Sequence, residues 1–218
     1  MGPGDVKRSA LVSRALGSLL LGAVTILGAV LLFRQGLLPL IDAVFQPGTE
    51  LLSAYRRAGI LLVAVAAYWA YVRWHEKREA TELRLQPLRL ALGGASGAAL
   101  VGLPIAVLFA LGAYELVLFR GFSPALWGAA GVIGIAAVLE ELFYRCLLFR
   151  LLERALGTWV ALAIQAVVFA LTHIGNVEHG RAGDVMAMLV SVTLLGLLWA
   201  GLFVLARNLW VVAANHAA

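Results

Sequence analysis

Five ionisable residues stand inside apolar runs, where charge is expensive. Glu140, Glu141 and Arg145 lie in VLEELFYRCLLF, His173 lies near the end of VVFALTHIGN, and His216 lies in WVVAANHAA. An ionisable group at membrane depth costs roughly 3 kcal/mol on insertion scales, so each is a candidate for function. Glu141 and Arg145 are four apart with the acid first, which sets them on one helix face in the favoured order for an ion pair. Pairing lowers the cost of keeping both charged in a poor solvent. Arg145 then reads as a partner that holds and orients a carboxylate, although an ion pair serving only helix packing fits equally well. Glu140 is rotated about 100° from Glu141 around the helix. It shares its face with Ala136, Ala137 and Tyr144, which leaves open space and one hydroxyl. A carboxylate in that setting is suited to taking a proton from water and returning it. The same physics would serve a proton-transport carboxylate. His173 follows Phe169 by four, so the two share a face. A lone His in an apolar helix is more often a satisfied core residue than a catalyst. Two such His in two helices, with two Glu in a third, point to a site.

The elements that must carry these residues are membrane spans. Crossing needs roughly 20 mostly apolar residues. Residues 15–33, 58–74, 90–119, 125–152, 158–174 and 185–206 qualify as six spans, and a seventh apolar run begins at Leu209. The pattern predicts an all-α, polytopic transmembrane bundle of about seven or eight helices. The first run is longer than the apolar core of a signal peptide and lacks a cleavage signature, so it reads as a retained helix. In this arrangement Glu140, His173 and His216 fall roughly 12–24 Å from one membrane end, at 1.5 Å per residue. Tilt could bring all three into one layer.

Composition agrees. Of the 218 residues, 62% are hydrophobic and only 13% charged, whereas a soluble domain is about half apolar and a quarter charged. The net charge of +5 does not mark a nucleic-acid binder, because the basic residues cluster at the ends of apolar runs. The loop 73–89 is the longest charged stretch and by its Lys and Arg content belongs on the cytoplasmic side. Lys7, Arg8, Arg14 and the Arg150–Arg154 turn share that side, and Arg56 and Arg57 fall opposite. The lone cysteine, Cys146, excludes an intramolecular disulfide and reads as a small apolar residue. Gly93 and Gly97 form a GxxxG, and Gly128, Gly131 and Gly134 recur at every third position; close helix packing accounts for both sets. Glu178 and His179 read as solvated loop residues without a role.

The run from Leu209 to Ala218 covers only about 15 Å of helix, half a hydrocarbon core. It is expected to be re-entrant or cut short, and the second reading is preferred.

The motifs match a known family. The chain resembles the intramembrane glutamic endopeptidases that include the CAAX prenyl endopeptidases of the Ras-converting type and the bacteriocin-immunity (Abi) proteins, together the CPBP family. The EExxxR motif stands as Glu140-Glu141-Leu-Phe-Tyr-Arg145, and FxxxH as Phe169-Ala-Leu-Thr-His173. The third motif begins at His216, and its usual Asn or Asp would fall at position 220, beyond the last residue. The resemblance covers roughly residues 85–218. It implies an N-terminal part, 1–89, of transmembrane helices and a basic cytoplasmic loop, and a catalytic core, 90–218. It further implies Glu140 as general base on a water that His173 helps to position. His216, with the Asn that the sequence lacks, would stabilise the oxyanion. Glu141, Arg145 and Phe169 would support the geometry. No metal or other cofactor is implied. Two His and a carboxylate remain plausible zinc ligands, but the HExxH spacing is missing. The expected partners are membrane lipid and a protein or peptide substrate cut near the membrane. The high Ala, Leu, Gly and Arg content points to a bacterial inner membrane. Competing readings are a non-catalytic immunity or partner-binding protein and a proton-coupled transporter.

Overall fold

A computed structural model describes residues 3–119, 121–176 and 182–218, and among these there is no β-strand. Seven continuous helical rods make up the described chain. The first is α1 (Pro3–Leu32), which passes through a π-helical turn at Phe33–Leu37 into α2 (Leu38–Phe45). It is followed by α3 (Thr49–Trp74) and α4 (Pro87–Ala110). The fourth rod is α5 (Pro124–Glu141), a π-helical stretch at Leu142–Phe149, and α6 (Arg150–Leu156). Then come α7 (Thr158–Leu171), α8 (Ala182–Ala206) and α9 (Leu209–Ala217). Glu178 and His179 lie outside the described residues.

Local chemistry sets the helix ends. Pro87 and Pro124 occupy first-turn positions, where the missing N–H costs nothing. The Ser123 hydroxyl accepts from the Leu126 N–H at 3.3 Å. Asn208 caps α9 by accepting from the Trp210 and Val211 N–H groups at 3.1 and 3.2 Å. Gly157 supplies the left-handed turn (φ 85°) that separates α6 from α7. One expected boundary is corrected: the third span does not run to 119. Its helix ends at Ala110, and Gly112 takes a positive φ of 71° that turns the chain out of the helix. The fifth span also ends earlier than expected, at Leu171.

The protein is an integral membrane protein. The stretches 10–45, 49–74, 87–110 and 183–206 are each long and apolar enough to cross a bilayer. Their outward faces carry large apolar side chains, such as Leu20, Leu32, Leu62, Leu103 and Leu194, that only lipid would solvate comfortably. The core is aromatic and aliphatic, with Tyr68, Leu142, Leu147, Phe149, Phe169 and Phe203 fully buried.

Small residues let α9 enter the bundle. A methyl at Gly93 would run into the Val211 carbonyl, and one at Gly97 into the Asn215 carbonyl, so the GxxxG of α4 is a backbone-to-backbone seat for α9. Gly128, Gly131 and Gly134 do not behave this way. A methyl at any of them would meet nothing within 4 Å, so packing inside the chain does not explain them.

The charged loop after α3 is folded, not merely solvated. Arg78 pairs with Glu76 at 2.6 Å and with Glu82 at 2.5 Å, and Tyr68 donates to Glu82. Arg150 reaches Glu76 at 2.7 Å across the bundle. Burial by itself would raise both carboxyls. The hydrogen bonds and charge of Arg150 and Arg78 outweigh it at Glu76, and those of Arg78 with the Tyr68 hydroxyl outweigh it at Glu82, so both are held below the usual carboxylate range. The same loop grips α9: Asn208 donates to the Arg84 carbonyl at 2.7 Å, and the Trp210 indole to the Leu83 carbonyl at 2.8 Å. His75 meets Ser18 at 3.1 Å, and Arg207 pairs with Glu153 at 2.5 Å. The loop, the α6 turn and the end of α8 thus share one end of the bundle.

Candidate active site

The fourth rod carries both acids, and its helix widens immediately after them. An eight-residue π-helical stretch is unusual, and such insertions recur at functional sites. Here it turns Arg145 into the centre of the bundle. Arg145 and Glu141 are both fully buried, with Nε 3.0 Å from Oε2, an ion pair in contact although not aligned as a hydrogen bond. The guanidinium also lies 4.6 Å from the Phe169 ring centre and 5.7 Å from that of Trp199, and Nη2 donates to the Gly196 carbonyl at 3.3 Å. A desolvated cation against aromatic faces is stabilised by about 2 kcal/mol.

Glu141 has a second partner. Its Oε1 lies 2.8 Å from Nδ1 of His216. A carboxylate only accepts, so the imidazole carries a proton on Nδ1, and in the neutral ring Nε2 is then free to accept. His173 is arranged in the same way by a different acceptor. Its Nδ1 lies 2.7 Å from the Phe169 carbonyl, which again demands the Nδ1–H form. That carbonyl also accepts from the Thr172 hydroxyl at 2.8 Å, which leaves Thr172 to accept from Tyr144 at 2.7 Å. The Tyr144 hydroxyl expected beside Glu140 is therefore engaged with Thr172.

Both free Nε2 atoms converge on one oxygen. Glu140 Oε2 is 3.9 Å from Nε2 of His173 and 3.9 Å from Nε2 of His216. That distance exceeds a hydrogen bond and lies within the span of one bridging water. Exposure separates the two acids: the Glu140 side chain is 32% exposed and that of Glu141 is 0%. Glu140 can meet water or substrate, and Glu141 cannot. Glu140 also lines an apolar cavity of about 300 Å³ with Ile26, Val30, Ile60 and Phe143. Among the described residues no three His, Cys, Asp or Glu side chains are grouped closely enough to hold a metal ion.

All six singled-out residues therefore meet in one cluster. Two contributors had no sequence signal of their own. Trp199 stacks on His216 with ring centres 3.6 Å apart and planes 18° apart, and its indole N–H reaches Asn215 Oδ1 at 3.1 Å. Asn215 in turn donates to Ser96 Oγ at 2.9 Å. The apolar run around Trp199 hides it among core residues. A tryptophan seven residues from the end of a span is an anchor pattern as readily as a site pattern.

Residues 122–218 match the family described as type II CAAX prenyl endopeptidase, Rce1-like. Over these residues the chain is similar to that family. The CAAX endopeptidase match contains Glu140, Glu141, Arg145, Phe169, His173 and His216, that is, the whole cluster. No curated protein and no solved structure matches the chain. At the level of that family, the match supports a CAAX-type membrane endopeptidase, a hydrolase.

Proposed function

We propose that the protein hydrolyses a peptide bond of a membrane-associated protein or peptide by a glutamate-activated water, without a metal. Residues 90–218 would form the catalytic core, and 1–89 the supporting helices and loop. The observation that carries this reading is the pair of 3.9 Å approaches from two imidazole Nε2 atoms to one oxygen of Glu140. A water seated there donates to the carboxylate and faces Nε2 of His173. Glu140 takes its proton as the oxygen attacks the scissile carbonyl, then returns the proton to the leaving amine. His216 would take a proton on Nε2 from solvent before substrate binds, donate it in a hydrogen bond to the developing oxyanion without giving it up, and be balanced as imidazolium by Glu141 through Nδ1–H. Arg145 pairs with Glu141 and holds it in place, and Phe169 orients His173 through its carbonyl and Arg145 through its ring. The apolar cavity beside Glu140 suits a substrate segment that arrives from the bilayer. A bacterial inner membrane is the compartment that fits the composition.

The test is a fluorogenic-peptide assay in proteoliposomes, with Glu140→Gln and His173→Ala compared with the parent protein. General acid–base groups contribute about 10²–10⁴-fold, so each variant should lose at least about 100-fold in kcat while keeping its thermal unfolding midpoint. Activity retained in Glu140→Gln would overturn the mechanism.

A further inference from the structure

Nothing in the mechanism above explains what aims His216. α9 carries His216 into the cluster beside Glu141 and Glu140. Glu141 fixes one ring nitrogen but leaves the imidazole free to swing about that contact. The other restraints come from neighbouring helices. The indole of Trp199 on α8 covers one imidazole face, with ring centres 3.6 Å apart and planes 18° apart. The Phe169 ring meets His216 nearly edge-on, at 6.4 Å and 77°. The indole N–H is a donor only, so the Asn215 carbonyl oxygen must face it. That orientation leaves the Asn215 amide to donate to Ser96 and towards the Gly93 carbonyl on α4. One tryptophan therefore touches two consecutive residues of α9, one through its face and one through its edge.

We propose that Trp199 is a positioning residue for the reaction: it clamps the His216 imidazole and its neighbour Asn215, so that Nε2 points at Glu140. The inference rests on the glutamate-activated reading for its catalytic consequence, but the clamp itself is a structural claim. Trp199 need not touch substrate. Its effect passes through His216, and a displacement of about 1 Å in a catalytic group can cost about 100-fold.

The experiment compares Trp199→Phe with Trp199→Leu in the full chain. The phenylalanine keeps an aromatic face and loses the Asn215 bond; the leucine loses both. Kinetics are read as kcat and KM separately. In parallel, ¹⁵N-histidine NMR of the detergent-solubilised protein reads the ring order of His216 from its Nε2 resonance, with the four histidines assigned through single His→Gln variants. Trp199→Leu should lower kcat about tenfold or more with KM changed less than about threefold, and should broaden or split the single His216 Nε2 resonance as the ring swings about its Glu141 contact. Trp199→Phe should recover most of both. An unchanged His216 signature in a folded Trp199→Leu protein would overturn the clamp. Should Trp199→Leu fail to fold, a Trp199→Phe variant that loses kcat as deeply as His216→Ala would overturn it equally. A broadened or split His216 Nε2 resonance in Trp199→Leu, in a protein whose parent form hydrolyses nothing, would uphold the clamp and count against the protease reading.

Discussion

The buried Glu141–Arg145 pair gives a prediction that does not depend on the reaction. Replacing Glu141 by Gln preserves shape and still offers an oxygen to His216 Nδ1–H. What it removes is the charge facing Arg145. At 3.0 Å and an effective dielectric of about 20, the direct attraction is roughly 5.5 kcal/mol. Breaking a buried pair on one side costs about 3–5 kcal/mol, because the remaining charge is stranded. The surroundings of Arg145 place it in that range. Its Nη1 has no partner, Nη2 has one carbonyl, and its other contacts are aromatic rings. Arg145→Met should cost a similar amount by stranding Glu141. The double variant should cost clearly less than the two singles added, with a coupling of at least about 2 kcal/mol. Reversible unfolding in bicelles, followed by steric trapping, measures all three. Costs that add to within about 0.5 kcal/mol would refute the claim that the two charges hold each other.

Three further outcomes are expected. Gly97→Val drives a side chain into the Asn215 backbone and should displace α9, lowering hydrolysis at least about tenfold, whereas Gly131→Val, which meets open space, should leave it within about twofold. Glu76 and Glu82 have folded-state values held below the unfolded one, so their stabilisation is complete above about pH 4.3 and is lost as pH falls through the folded values; thermal melts should show that decline, and Arg78→Met should flatten it. Hydrolysis should survive millimolar EDTA and 1,10-phenanthroline in the parent protein; chelator-sensitive activity restored by zinc would contradict a metal-free water activation.

Much of the site was legible in the sequence because lipid makes ionisable residues conspicuous. Glu140, Glu141, Arg145, His173 and His216 stood out by cost alone, and helical spacing correctly set Glu141 against Arg145. The second contact of Glu141, to His216, was not legible, since no spacing rule links residues 75 positions apart. Trp199 was hidden for the opposite reason: an aromatic residue in an apolar span costs nothing and so signals nothing. The Tyr144 hydroxyl lay on the expected face but found Thr172, a partner brought by another helix. Helix ends were harder to place than helices. An apolar tail after Ala110 reads as span whether or not it is helical, and a glycine at positive φ decides. The GxxxG at Gly93 and Gly97 and the repeat at Gly128, Gly131 and Gly134 look alike in one dimension, and only the packing of α9 tells them apart.

The central claim is that Glu140 delivers a water to the peptide bond and is not itself the nucleophile. A single turnover in H₂¹⁸O, read by mass spectrometry of product and enzyme together, tests it most directly. Direct attack predicts one ¹⁸O in the newly formed product carboxylate and none in the Glu140 side chain. Label found in Glu140, with unlabelled product, would mean an anhydride between enzyme and substrate and would contradict the account.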